Sequence, residues 1–332
     1  MTLNPGSHGD EPAASQGGPP ARGVDVELDA VTDKLLELDP TGNRVAAVLR
    51  DTLDQLYDGQ RTGRWNFNQL YKTEKTHMGT LVEINLQREF GFDDGDATDY
   101  RIAGVQADCK YSMRDGGWTL PPEVIGHLAL VVHADDARSS WRAGLVRVTE
   151  EHLNPGRNRD SKGGLSLVGR RSIRWLWPHN TRLAPNLFLQ LDDPTRNRIF
   201  NARSLRGDRH GQARVNELFR SVQRRIIRRA ELATVAQQDD FMKRARGNGG
   251  ARSHLQPEGI LVLGHQDNDP LVAAALGLPV PFKGEFVSAR VVSGQRDNRN
   301  KYAEIDGSLW SLARDGDAVE SAPQISRVIR IQ

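Results

Sequence analysis

Apolar residues from Val31 to Tyr57 recur at helical spacing: Val31, Leu35 and Leu38, then Val45, Val48, Leu49, Leu53 and Leu56, with a break at Asp39-Pro40-Thr41-Gly42. Two helices are predicted there. A third runs from about Thr76 to Phe90, where Met78, Val82, Leu86 and Phe90 form an i+4 stripe widened by Leu81. Glu83 falls about 100° away from that stripe, at its polar edge. The period then changes, and Asp99 to Ile102, Ala103-Gly104 and Val105 to Ser112 read as strand, tight turn, strand. His127 to Val132 and Ala143 to Val148 read as buried strands.

Asn154 to Gly169 is rich in Gly, Asn, Arg and Ser and reads as a linker, placing a domain boundary between residues 165 and 170. Beyond Trp175 and Trp177, a helix is predicted from Gly211 to Ala230, with Val215, Leu218, Phe219, Val222 and Ile226 on one face and Arg220, Arg224 and Arg228 on another. A shorter helix follows over Glu231 to Gln238. Asp239-Asp240 then offers an N-cap for Phe241 to Arg246, which Gly247 to Gly250 terminates. Gly259 to Gly264, Glu285 to Val292 and Tyr302 to Leu312 read as strands. Three helices followed by a β-ribbon suggest a winged helix-turn-helix. The predicted fold is thus a mixed α/β unit over 24–165 and a winged-helix α+β unit over 170–332, preceded by a disordered tail over 1–23.

The overall charge is uninformative, with 45 Lys+Arg against 43 Asp+Glu in 332 residues, but its distribution is not. Residues 24–165 hold 17 basic and 24 acidic residues, whereas 170–256 hold 19 basic and 7 acidic ones. All but one of the 19 are Arg, the side chain suited to bidentate contact with phosphate and guanine. A basic block joined to an acidic one points to nucleic acid. Cys109 is the single cysteine, which excludes an intramolecular disulfide and a cysteine-based zinc site, and no HExxH occurs among the nine histidines. With no long apolar run and no signal-peptide pattern, a cytoplasmic protein without a membrane partner is expected.

The chemistry concentrates on the predicted hairpin. Asp108 and Lys110 share one strand face while Cys109 points to the other; Asp99 lies on the partner strand and Glu83 on the preceding helix. Three carboxylates and one ammonium suit phosphodiester hydrolysis: carboxylate oxygens hold Mg²⁺, and the lysine positions a water and balances the acids. Helix acid, strand acid and acid-x-Lys across a hairpin is the pattern of the PD-(D/E)xK nucleases. A bare D-x-K also arises as a solvated hairpin pair, so the helix acid and the attached basic block carry the weight.

Longer runs add a resemblance. Tyr71 to Asn85 (YKTEKTHMGTLVEIN), Ile102 to Lys110 (IAGVQADCK), Gly211 to Arg220 (GQARVNELFR), Ala233 to Arg244 (ATVAQQDDFMKR) and Pro257 to Pro270 (PEGILVLGHQDNDP) resemble the NaeI family of type II restriction endonucleases, over nearly the whole chain after the first 25 or so residues. The resemblance implies a PD-(D/E)xK endonuclease domain followed by a helix-turn-helix domain like that of bacterial activators. It implies Glu83, Asp99, Asp108 and Lys110 as catalytic residues, the three acids holding Mg²⁺. A homodimer, double-strand cleavage within GCCGGC, stimulation by a second bound copy of that site and a cognate DNA methyltransferase are implied as well.

Other features take second place. Leu56 to Arg61 (LYDGQR) resembles the adenylation motif of DNA ligases, but Leu56 stands where the lysine must be, so no covalent AMP adduct is expected. Lys243, Arg244, Arg246 and Arg252 cluster at the expected recognition helix and its Gly-rich exit, where backbone approaches phosphate, and are DNA-contact candidates together with Arg224 and Arg228. Lys72 and Lys75 precede the helix that bears Glu83 and are candidates for phosphate contact near the scissile bond. His265, Asp267 and Asp269 read as a loop before Pro270. The rival readings are a strand-nicking mismatch repair endonuclease with the same residues and a DNA-binding regulator with an inactive nuclease domain.

Overall fold

The computed structural model describes residues 24–205, 210–294 and 301–325; the tail expected over 1–23 lies outside them. The first unit opens with α1 (Val26–Leu38), α2 (Asn43–Tyr57), α3 (Gly59–Thr62) and α4 (Lys72–Phe90). Asp25 caps α1 by accepting from the Leu28 amide at 3.0 Å, and Gly91 at φ 66° ends α4. There follow β1 (Asp93–Asp94), β2 (Tyr100–Ile102), β3 (Val105–Ser112), β4 (Thr119–Leu120), β5 (Leu128–Asp135), β6 (Ser140–Arg147), β7 (Leu153–Arg157), β8 (Gly163–Leu165), α5 (Leu167–Arg171) and β9 (Arg174–Leu176).

The main sheet has the order β1-β2-β3-β5-β6-β9, antiparallel throughout except for the parallel pair β3–β5. One face carries the helices over a core containing Leu49, Leu53, Met78, Val82, Leu86, Tyr100, Leu130 and Trp141. The opposite face packs on Trp118, Leu120, Val124 and Leu165, around the small sheet β4-β8-β7. Because both faces are covered, β5 is buried over seven of its eight residues, which is why HLALVV showed no alternation.

Two expectations need correction here. Asn154–Gly169 is not a linker: it holds β7 and β8, whose partner β4 lies more than 30 residues upstream, a pairing that Gly-rich strands do not announce. The first unit also runs past residue 165, since β9 pairs with β6 and Leu183 lies in the core beneath the helices. Trp177 anchors this extension by donating to the Asp39 carbonyl at 2.5 Å.

The second unit comprises α6 (Asp193–Asn201), α7 (Gly211–Ser221), β10 (Ile226–Ile227), α8 (Arg229–Ala236), α9 (Phe241–Ala245), α10 (Ala251–Leu255), β11 (Ile260–Leu263), α11 (Asp269–Leu276), β12 (Phe286–Ser293), β13 (Ala303–Ile305) and β14 (Ser308–Leu312). β12 pairs with β10, β11 and β14, and β14 with β13. The single helix expected over 211–230 is broken. Ser288 Oγ on β12 donates to the last carbonyls of α7, Phe219 O at 2.8 Å and Val222 O at 3.0 Å, and the Arg224 amide donates to Ser288 O at 2.7 Å with Arg224 at φ 61°. A strand 70 residues away supplies this stop, so the helical periodicity of 211–230 gave no sign of it. Arg220, Arg224 and Arg228 therefore form no common stripe.

The two units meet along α2, α3 and α8. Gly59 lies so close to Thr234 that a Cβ there would sit 2.0 Å from Thr234 Oγ1. Beside this contact runs a buried ionic network. Arg50 bonds Asp136 and, at 2.8 Å, Asp54; Asp136 also accepts from Tyr57 Oη at 2.6 Å and Asn186 Nδ2 at 2.9 Å. Asp54 reaches across to Arg228 Nη1 at 3.0 Å, and Arg228 bonds Glu231 at 2.9 Å. Each buried charge faces an opposite one, the condition for tolerating ions in a low-dielectric joint.

Candidate active site

The hairpin that carries the acids is fixed by its turn. Ala103 and Gly104 both take positive φ, 51° and 78°, the two-residue geometry that matches strand twist, and Ile102 pairs with Val105. This register sets Tyr100 opposite Ala107, so Asp99 arrives beside Asp108 and Cys109. The Asp99 carboxylate accepts from the Cys109 amide at 2.7 Å, which locks the strand acid onto β3.

Lys110 lies between the two aspartates. Its Nζ is 2.6 Å from Asp108 Oδ2 and 3.3 Å from Asp99 Oδ2, and it donates to the Cys109 carbonyl at 3.0 Å. Asp108 is almost fully buried; its Oδ2 receives no well-angled hydrogen bond and is balanced by the ammonium alone. Burial raises the Asp108 pKa, and Asp99 adds to this while Lys110 opposes it. For Lys110 burial acts downward, but the charges of Asp108 and Asp99 outweigh it and hold the amine protonated above its ordinary range. Glu83, half-buried on α4, is also raised, first by burial and then by the Asp99 charge, against the pull of Lys110. All four residues predicted from sequence thus share one electrostatic neighbourhood.

Among the described residues, no three His, Cys, Asp or Glu side chains converge closely enough to hold a metal ion as they stand. The donor set nonetheless suits a hard dication: carboxylate oxygens only, among them the buried Asp108 Oδ2, around a position that already attracts the Lys110 cation. Burial pushes the Cys109 thiol up to about 12, so it is an inert packing residue on the other face of β3. Tyr100, which the sequence reading passed over, is fully buried on the helix side of the sheet, where its hydroxyl donates to the Glu83 carbonyl at 2.7 Å. Its signal was an aromatic with a polar end directly after the strand acid.

The predicted DNA-contact residues fare differently. Lys243 and Arg246 are exposed, at the end of α9 and the Gly-rich exit. Arg244 bonds Asp240 at 2.6 Å, Arg252 bonds Asp269 at 2.5 Å and the Val262 carbonyl at 2.9 Å, and Arg224 donates to the Ala313 carbonyl at 2.6 Å. Arg228 belongs to the ionic joint. These arginines all bond within the fold, Arg224 from an exposed position and Arg252 with 40% of its side chain exposed, and Asp269 is a buried acceptor that opens α11 where the sequence predicts a loop before Pro270. Lys72 is exposed and Lys75 lies 5.6 Å from the Phe67 ring centroid. At the helical rise, Lys72 and Lys75 stand about 16 and 12 Å along α4 from Glu83, outside the acid cluster.

No helix among the described residues is long and apolar enough to cross a membrane. The family model described as restriction endonuclease NaeI matches residues 29–321. The chain is 60% identical over 303 residues to the type II restriction enzyme NaeI of Lentzea aerocolonigenes, covering 91% of this chain and 95% of that protein. The match spans both units, acids and basic block alike, and the chain belongs to the NaeI family of type II restriction endonucleases, enzymes that use a divalent metal to cut double-stranded DNA at specific sequences.

Proposed function

We propose that the chain makes Mg²⁺-dependent double-strand cuts at a palindromic site, GCCGGC, with hydrolysis in the first unit and binding of a second, activating DNA copy in the other. The observation that carries the catalytic part is the Asp99–Lys110–Asp108 contact on one hairpin, with Glu83 facing it from α4. Glu83, Asp99 and Asp108 are the residues that would hold magnesium. When bound, the ion neutralises charge at the scissile phosphate and makes a nearby water more acidic.

The rest of the work falls to the chain itself. Lys110, kept protonated by its two acids, donates a hydrogen bond that orients the attacking water and offsets charge growing on the phosphate oxygens. Asp99, tied to the Cys109 amide, keeps the ammonium in place. Water oxygen bonds to phosphorus and gives up a proton to solvent as one P–O ester bond breaks, and the departing oxygen takes up a proton from solvent. A homodimer explains a palindrome and two cuts, since each subunit meets an identical half-site.

Support for the second role comes from element order. Helix α7, short strand β10, helices α8 to α10 and then the antiparallel pair β11 and β12, with α11 inserted between those two strands, resemble the winged-helix sequence of elements, with α9 and α10 where a recognition helix belongs. We assign the DNA contacts there to the exposed Lys243 and Arg246, and assign Lys72 to the DNA near the first unit. The enzyme would act in the cytoplasm, alongside a methyltransferase that protects the host's own sites.

The test is a digest of plasmid of known sequence with both fragment ends mapped, for wild type and Asp108→Ala. Paired cuts at GCCGGC that vanish in the variant support the reading. Single-strand nicks would place the chain with repair enzymes, binding without cleavage at every Mg²⁺ concentration would make it a regulator, and an active Asp108→Ala enzyme would refute the assigned site.

A further inference from the structure

We propose that Tyr100 is a positioning residue for cleavage: its hydroxyl is the strut that sets the helix acid Glu83 at a fixed height above the strand acids. This rests on the reading of Glu83, Asp99, Asp108 and Lys110 as the catalytic group.

Two rigid elements supply the acids, and few directional contacts join them: Gln87, one turn beyond Glu83 on α4, donates to Asp94 Oδ1 on β1 at 2.7 Å. Asp99, Asp108 and Lys110 move together, because backbone pairing and the Asp99–Cys109 bond tie β2 to β3. Glu83 rides on α4, which is joined to the hairpin through Gly91 and the short strand β1. Apolar packing of Met78, Val82 and Leu86 holds α4 to the sheet, but such contacts are non-directional and tolerate sliding. Tyr100 adds a directional bond at Glu83 itself. It is fully buried, adjacent in sequence to Asp99 and paired with Ala107, the neighbour of Asp108. From there its hydroxyl donates to the main-chain oxygen of Glu83 itself at 2.7 Å.

The ring is held as firmly as the hydroxyl. Phe92 packs against it at 5.2 Å between centroids, tilted by 48°, and Phe92 in turn stacks on Phe90, the last residue of α4. One side chain therefore joins the peptide of the helix acid to the residues flanking both strand acids. A buried hydroxyl without its partner would carry a desolvation penalty, so the bond also defines the depth at which α4 seats. Misplacement of a reacting group by about 1 Å costs on the order of 10²-fold in rate, and loosening of a single strut costs part of that.

The experiment compares wild type, Tyr100→Phe and Asp108→Ala by steady-state cleavage, by calorimetric titration with Mg²⁺ alone, and by thermal melting. The phenylalanine variant keeps the ring and loses only the hydroxyl. The expected result is a fall of about tenfold in kcat with KM for DNA nearly unchanged, weaker Mg²⁺ binding, and a folded protein. If Tyr100→Phe matches wild type in kcat and in Mg²⁺ binding while Asp108→Ala is inactive, the strut does not position the site. Activity that returns to wild type once normalised to the folded fraction overturns it too, since Tyr100 would then serve stability alone. An active Asp108→Ala enzyme sinks the underlying site assignment instead, which is a separate failure.

Discussion

Replacement of Arg228 by methionine separates two physical roles for an arginine in a basic block. As a phosphate contact, Arg228 would contribute about one unit to the slope of log binding constant against log salt and almost nothing to stability. The structure gives it another function. Its guanidinium bonds Asp54 at 3.0 Å and Glu231 at 2.9 Å, and its side chain is 19% exposed. Methionine keeps the stem but leaves Glu231 buried, with only the residue 228 amide at 2.7 Å and the Leu187 amide at 3.2 Å as donors. Asp54 suffers less, because Arg50 still bonds it at 2.8 Å.

Orphaning one partner of a buried pair costs about 3–5 kcal/mol; the two remaining amide donors reduce this to roughly 2–4 kcal/mol. The corresponding fall in Tm is roughly 5–15 °C for a unit of this size. Burial already raises the Glu231 pKa, and removing Arg228, which lowers it, raises it further. A carboxyl whose folded pKa exceeds its unfolded value binds protons preferentially in the folded state, so stability falls as pH rises through that range. The deficit of Arg228→Met should accordingly be smaller at pH 5 than at pH 8. Calorimetric melts at both pH values, with DNA binding measured from about 50 to 200 mM salt, decide the matter. An unchanged Tm with a salt slope reduced by one would refute the buried-joint argument.

Gly59→Ala should destabilise by about 1–3 kcal/mol, because the new methyl meets Thr234 Oγ1 at 2.0 Å; Thr234→Ala should recover only part of this in urea unfolding, since Thr234 Cβ is itself at 2.8 Å. Lys243→Ala combined with Arg246→Ala should lower the salt slope of DNA binding by about two units without moving Tm, whereas Arg252→Ala, which frees the buried Asp269, should lower Tm; equal salt slopes for wild type and the double variant would remove those two residues from the interface.

Much of the site was legible because it is local. Asp108 and Lys110 share a face by the two-residue period of a strand, and Ala103-Gly104 announces the hairpin that brings Asp99 beside them. Glu83 required only the 3.6-residue period of α4. The acidic and basic halves of the chain were equally plain from counting. These features depend on neighbours a few residues apart, which is the range over which periodicity and turn chemistry act.

What the sequence by itself determined, then, was the local elements of α1, α2, α4 and the hairpin of Asp99 to Lys110, and the acid-then-basic layout. Tertiary structure decided which charges are free. Arg224, Arg228, Arg244 and Arg252 read alike with Lys243 and Arg246 in sequence, yet these four bond Ala313, Asp54 and Glu231, Asp240 and Asp269, Arg224 from an exposed position, whereas Lys243 and Arg246 stand exposed at the end of α9. It also stopped α7 through Ser288, extended the first unit to β9, and set Tyr100 beneath Glu83. In each case the deciding partner lies far along the chain, and a buried polar group is governed by the partner that satisfies it, which only the folded chain brings within hydrogen-bonding distance.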